Sequence, residues 1–310
     1  MISVVILNYN GNDVVFDCLA SVLSLDWDDL EVLVVDNAST DGSPERIVAE
    51  FGDRVHVVRR RLNSPTAGRN EGFAVARGEY VLSLDNDIVL PDATVLRKAA
   101  NHMEKVPSAG ALCFCIGSCD CPDEPLPEHW WHPVPLKTHK NRFFFTDWFP
   151  EGAVLFRRSA LSATGGYNED LFQGYEAADF SLRLLDLGFE ILYCPDLCSV
   201  ELRIRGMHYP ARREINYLFL RNKLWTAWIN YPLGRAVLFG AMRIAIAGIR
   251  AARFGWIDLW LRAVGDGLVP SRSIRNKRRP LGPLTWKHIR RIRKGQFGQE
   301  ITCLNSVLGR

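Results

Sequence analysis

Over roughly its first 115 residues the chain alternates short Val-, Ile- and Leu-rich runs with segments of helical length, and no other feature limits its fold as strongly. The runs at 3–7, 31–35, 55–58, 80–84 and 109–116 are separated by helix-length segments at 14–25, 44–51, 67–76 and 93–105. Continuous apolar strands separated by amphipathic helices predict an α/β fold: a Rossmann-like, mainly parallel sheet flanked by helices on both faces, with ligands held at the carboxyl ends of the strands. At 310 residues and 47% hydrophobic content, the chain buries a large core without a disulfide or metal staple.

The polar clusters fall where such a sheet binds its ligands. Asn8-Tyr9-Asn10-Gly11 closes the first strand, Asp36-Asn37-Ala38-Ser39-Thr40-Asp41-Gly42 the second, and Asp85-Asn86-Asp87 the fourth. Two carboxylates one residue apart, where a strand opens into a loop, can hold a hard divalent cation and present it to phosphate oxygens, although the same pattern also forms ordinary turns. The small polar groups after Asp36 can hydrogen-bond a base or ribose. Asn63 and the run Ala67-Gly68-Arg69-Asn70-Glu71-Gly72 open the next helix, and a Gly and an Arg there suit a diphosphate. Regular structure is interrupted over 117–147, a Pro-rich stretch with three His and a Trp pair that reads as a long irregular loop carrying specificity. It resumes with a strand at 153–157, a helix near 176–187 ended by Gly188, and a strand at 191–193.

Taken together, these motifs and Gly78-Glu79-Tyr80, Asp147-Trp148, Glu151-Gly152-Ala153 and Gly165-Gly166-Tyr167-Asn168-Glu169 resemble the family 2 glycosyltransferases, which have the GT-A fold. The likeness covers about residues 1–205 and is nearest to the bacterial rhamnosyltransferase-like branch. It implies inverting transfer of a sugar from a nucleotide diphosphate-sugar to a hydroxyl of a glycan or lipid-linked acceptor, in polysaccharide or glycolipid assembly, with Mn²⁺ or Mg²⁺ as cofactor. By position, Asp36 would contact the nucleoside base, Arg69 the donor, and Asp85 and Asp87 the ribose and the metal. Asn8, Asn10, Asn37, Asn63 and Asn86 complete the expected donor side, and Trp148, Glu151 and Gly152 the acceptor side. The implied layout is a catalytic domain at 1–205, with a nucleotide-sugar half at about 1–116 and an acceptor half at about 117–205, followed by a basic helical region at 206–310.

The sequence departs from the family pattern twice. The family's base comes from a Glu-Asp pair at the start of a helix, but here Tyr175-Glu176-Ala177-Ala178-Asp179 has Ala in the Asp position. Three readings follow: Glu176 is the base, Asp179 on the same helical face reaches the site, or the chain is a catalytically impaired relative that only binds a nucleotide-sugar. The second departure is Glu201, standing where relatives commonly carry a metal-binding His; Glu is an adequate oxygen ligand, and His208 is a substitute candidate. Cys113, Cys115, Cys119 and Cys121, with His129 and His132, could form a zinc site, although their spacing is not that of a usual knuckle and free thiols are the simpler reading.

The net charge of +3 conceals a split. Residues 1–200 carry 16 Lys and Arg against 30 Asp and Glu, whereas 201–310 carry 22 against 5. In the apolar stretch from about 235, Arg235, Arg243, Arg250 and Arg253 fall within a narrow arc at 100° per residue. That pattern predicts a helix lying on an anionic membrane surface with its arginines reaching phosphates, the plainer alternative being a helix packed on the catalytic domain. Nucleic acid is disfavoured as a partner, because the basic segments interleave with long apolar stretches and no recognised motif appears. A nucleotidyltransferase would share the sheet and acidic pair but not the Gly-Gly-Tyr and Tyr-Glu segments. Without a secretory signal or an uninterrupted apolar span, the expected location is cytoplasmic, peripheral at the inner face of the cell membrane.

Overall fold

A computed structural model of the chain describes residues 1–202, 213–297 and 305–306. The predicted alternation is present: β1 (Ile2–Asn8), α1 (Val14–Leu23), β2 (Leu30–Asp36), α2 (Ser43–Phe51), β3 (His56–Arg59), α3 (Pro65–Val75), β4 (Tyr80–Asp85), β5 (Ile88–Val89), α4 (Val95–Lys105) and β6 (Ala109–Ser118). The stretch predicted to be irregular holds a one-turn α5 (Leu136–His139) and β7 (Phe144–Thr146). Next come β8 (Ala153–Arg157), α6 (Arg158–Thr164), α7 (Glu176–Asp186) and β9 (Glu190–Glu201).

One nine-stranded sheet runs β3-β2-β1-β4-β8-β6-β9-β5, with β7 pairing β9. The ladders β1/β2, β1/β4, β2/β3 and β6/β9 are parallel, whereas β8 lies antiparallel to both β4 and β6. The sheet is therefore mixed and mostly parallel. Strands β1 and β4 are buried on both faces, as their Val, Ile and Leu content requires. Helix α3 packs very close to this sheet. A Cβ on Gly72 would lie 2.3 Å from Val5 Cγ1 and 2.9 Å from Val35 Cγ2, so only glycine allows the approach that carries Arg69 to the strand ends.

The basic region folds as α8 (Arg213–Asn230), α9 (Leu233–Phe254), α10 (Ile257–Leu268), α11 (Arg272–Asn276) and α12 (Pro283–Arg293). These helices are not an appendage. Tyr231, Leu281, Trp286, Ile289 and Ile292 belong to the same apolar core as the sheet. Among the described residues, no helix is long and apolar enough to cross a membrane.

Candidate active site

The loops after β1, β2 and β4 are tied together by buried amides. Asn8, fully buried, donates to Ser43 Oγ at 3.0 Å and Asp36 Oδ1 at 3.3 Å, and its Oδ1 accepts from Asn86 Nδ2 at 3.0 Å. Asn10, with a positive φ of 50°, accepts from the Thr40 amide at 2.8 Å. Asn37 donates to Asn63 Oδ1 at 2.7 Å and accepts from Arg60 Nη1 at 2.7 Å. These asparagines thus hold the frame around Asp36, which accepts from the Ser39 amide at 3.3 Å. Arg60, not singled out in the sequence, is the clamp of this corner: it also reaches the carbonyls of Leu62 and Ser64 and pairs with Glu71 at 2.8 Å.

Arg69 lies beneath the strand ends, almost wholly buried, and pairs with Asp85. Burial opposes its charge, but Asp85, Glu151, Tyr167 and Glu176 more than offset that, so the guanidinium holds its proton more tightly than an ordinary arginine. Its Nε is buried without a partner. Asp85 itself is fixed through its backbone amide, which donates to the Gly152 carbonyl at 3.0 Å, so Gly152 acts through its main chain.

Asp87 is pushed up to about 7, first by burial and then by the nearby charges of Asp85 and Glu201. Three carboxylates crowd there, with His129 Nε2 3.0 Å from Glu201 Oε2. Among the described residues no three His, Cys, Asp or Glu side chains form a ready metal cage. The donor set nevertheless fits Mg²⁺ or Mn²⁺: the ligands are hard oxygens, their mutual repulsion is relieved by a cation, and such ions commonly complete their shell with phosphate oxygens and water. His208 lies outside the described residues.

The site's other wall carries Glu176 at the start of α7. Burial raises its proton affinity well above the carboxylate range, and Glu151 adds to the effect. Glu151 is itself raised by burial, with Arg69 pulling the other way. Glu151, Glu176 and the Tyr167 hydroxyl interact with one another, and Glu151 Oε1, Glu176 Oε2 and that hydroxyl are buried with no hydrogen-bond partner outside the group. Buried polar atoms are rarely left unsatisfied, so a cluster of them beside the unpaired Arg69 Nε marks a place shaped for a polar ligand. Asp179 is engaged elsewhere: its Oδ2 accepts from Arg183 Nε at 2.9 Å and its Oδ1 from Asn230 Nδ2 at 2.7 Å. Ala177 packs in the apolar core.

Trp148 stacks on Trp131, with ring centroids 5.7 Å apart, and tilts against Tyr175 at 5.5 Å. Trp131, not among the acceptor-side residues expected from the sequence, is half exposed beside it. The four cysteines and two histidines considered for zinc are dispersed. Cys113 and Cys115 are buried in β6, Cys119 and Cys121 are exposed, His129 faces Glu201, and His132 Nδ1 lies 2.9 Å from Thr146 Oγ1. Of the expected outward stripe on α9, Arg235, Arg250 and Arg253 are exposed, and Arg243 alone turns inward. Arg235 lies over the Trp286 ring at 4.7 Å, and Arg243 lines a cavity with Trp148.

A parallel strand edge thus bears a buried arginine and a carboxylate cluster, faced by the buried Glu176 and the partly buried Glu151. The glycosyl transferase family 2 profile matches residues 3–165, and the chain belongs to that family. Over 103 residues it is 36% identical to a poly(ribitol-phosphate) beta-glucosyltransferase of Bacillus spizizenii, covering 31% of this chain and 16% of that protein. Over 90 residues it is 36% identical to TuaG of Bacillus subtilis, a putative teichuronic acid biosynthesis glycosyltransferase, covering 28% and 36%. The chain thus spans well under half the length of these relatives. S. aureus TarS 1–349, solved with UDP-GlcNAc, superposes with a TM-score of 0.62 at 17% identity, covering 96% of this chain and 88% of that one. The mannosyltransferase PcManGT of Pyrobaculum calidifontis, solved with GDP-Man and Mn²⁺, superposes at 0.56 with 20% identity, covering 95% and 85%. These structural likenesses concern the fold.

Proposed function

We propose that the chain transfers a sugar, with inversion, from a nucleotide diphosphate-sugar to a hydroxyl of a glycan or lipid-linked acceptor in cell-surface polysaccharide or glycolipid assembly. The observation that carries this reading is the facing of two charge sets across one strand edge: Arg69 with Asp85 and Asp87, against Glu151 and Glu176. As the glycosidic bond breaks, negative charge develops on the leaving diphosphate, and the Arg69 guanidinium is already held in place to receive it. Mg²⁺ or Mn²⁺, held by Asp87 with Asp85 and Glu201, would supply further charge stabilisation there. Glu176 accepts the proton of the attacking hydroxyl; burial and Glu151 strengthen it as a base, while Arg69 keeps the ionised form accessible. Asp36 and the asparagine frame hold the nucleoside.

The test is turnover of UDP- and GDP-sugars with Mn²⁺. Asp87→Ala and Glu176→Gln are each expected to lower donor turnover by about a hundredfold or more, and unchanged rates in both would refute these roles. Ala177, an apolar residue in the base position, favours a second reading in which the chain only binds donor; donor binding by calorimetry with no turnover of any sugar would establish it.

The outward face of α9 supports peripheral attachment at the inner face of the cell membrane. Leu238, Met242, Ile246 and Ile249 recur at helical spacing and are exposed, with Arg250 and Arg253 beside them on the same side. Sedimentation with phosphatidylglycerol vesicles should retain the chain at low salt and release it at high salt, and no binding at low salt would exclude the attachment.

A further inference from the structure

Three cations from three different helices converge on one cavity of about 210 Å³ beside the site. Lys223 of α8, Arg243 of α9 and Arg293 of α12 line it together with Trp131, Trp148 and Tyr175. Among the described residues its single carboxylate, Asp147, is committed to Arg293 Nε at 2.6 Å. Two positive charges are left over. Lys223 has no carboxylate partner among the described residues; its ammonium lies 5.4 Å from the ring centroids of both Tyr175 and Phe219. Arg243 rests over Phe239 at 4.9 Å and keeps a buried Nε without a partner. Gathering like charges in a half-enclosed space is unfavourable unless an anion completes it, and burial with the charges of Arg243 and Arg250 lowers the Lys223 pKa to about 8. The aromatic wall adjoins the reaction centre, since Tyr175 immediately precedes Glu176 and Trp148 lies three residues before Glu151.

We propose that this cavity is an acceptor subsite for an anionic glycan, in which a phosphate or carboxylate substituent sits between Lys223 and Arg243 while the sugar ring lies on Trp148 and Trp131. Planar aromatic faces suit sugar rings, and a guanidinium with an ammonium suits either anion. The cavity is smaller than the roughly 300–1,000 Å³ of sites that enclose a drug-sized ligand, so it takes one charged group rather than an oligosaccharide. The neutral remainder of the acceptor would lie outside it, over the half-exposed Trp131. This inference rests on the glycosyl-transfer reading and narrows its acceptor to the anionic class.

The test titrates the full chain, saturated with UDP and Mn²⁺, with glucose 6-phosphate, glucuronate and glucose, read by calorimetry and tryptophan fluorescence. At least one of the two anions should bind about tenfold or more tightly than glucose, and added NaCl should weaken that binding. The stronger of the two identifies phosphate or carboxylate as the substituent. Lys223→Met and Arg243→Gln should each remove about tenfold of the affinity, whereas Lys223→Arg retains it. Equal binding of all three sugars, no binding of any, or anion affinity indifferent to both neutralising substitutions would overturn the proposal. UDP affinity and melting temperature, measured on every variant, separate local loss from misfolding. If neither UDP nor GDP binds the wild type with Mn²⁺, the transfer reading fails, whereas intact nucleotide binding with no anion preference removes the subsite alone.

Discussion

Replacing Asp179 with Asn distinguishes a packing carboxylate from a catalytic one. Asp179 is almost completely buried and joins α7 to α8: one oxygen accepts from Arg183 and the other from Asn230. In the Asn variant the carbonyl oxygen can keep the Asn230 bond, but the amide nitrogen then faces Arg183 Nε and cannot accept from it. Arg183 is not stranded, because it also donates to the carbonyls of Thr164 and Gly166, each at 2.7 Å. The loss is therefore one charge-assisted bond, worth about 1.5–3 kcal/mol, with the lower half of that range expected because Arg183 is one-quarter exposed. At about 2–4 °C per kcal/mol for a large domain, the melting temperature should fall by about 3–9 °C. Thermal unfolding followed by tryptophan fluorescence, with donor turnover normalised to folded protein, checks both parts. Asn230→Ala should couple to Asp179→Asn in a double-mutant cycle, since the two residues share a bond. An unchanged melting temperature with turnover reduced a hundredfold would refute the packing role and return Asp179 to the reaction.

Three further outcomes follow from contacts elsewhere in the fold. Gly72→Ala drives a methyl group against Val5 and Val35 in fully buried strands and should cost about 1–3 kcal/mol in urea unfolding. His132 is pushed down to about 3 by burial from an ordinary 6.5, so between those values the unfolded chain binds the proton in preference. The stability it confers is complete above about pH 6.5 and drains away as pH falls towards 3; His132→Gln should flatten the fall in urea midpoint between pH 7 and 5, and an identical slope would count against it. Anion affinity at the Lys223 cavity should decline as pH rises through about 8 and the ammonium loses its proton. Arg243, Arg293 and Asp147 are the other charged groups facing the cavity, and the Tyr175 and Tyr231 hydroxyls are both raised, so a pH-independent affinity between 7 and 9 would exclude Lys223 as the contact.

The first half of the sheet could be read from the chain because its signals are local. An apolar strand and the polar residue at its end are adjacent in sequence, so Asn8, Asp36, Asp85 and Asp87 fall on one rim from the strand pattern alone. What depends on distant pairing was not legible. The antiparallel insertion of β8 between β4 and β6 leaves no periodic trace, and β7 is three residues of Phe and Thr inside a stretch that composition alone marks as loop. Arg60 looked like one of three consecutive surface arginines, yet the turn after β3 aims it inward at Asn37. Helix α9 gave the clearest divergence. Its arginines form a stripe in projection, but the rotation of a helix about its axis is set by what packs beneath it, and here Arg243, at the edge of the arc, turns into the cavity while Arg235, Arg250 and Arg253 stay exposed. The apolar stripe of Leu238, Met242, Ile246 and Ile249 shares the outward face with those three.

The continuity of the core between the sheet and the C-terminal helices has a geometric consequence. Tyr231 at the end of α8 and Trp286 of α12 are packed into the same interior that carries β4 and α7, so the distance from Glu176 to the outer face of α9 is a fixed dimension of the molecule. With Glu176 as the proposed base and α9 as the proposed attachment, the protein would act as a ruler: a hydroxyl carried too near or too far from the surface under α9 would be out of reach however well its sugar fits.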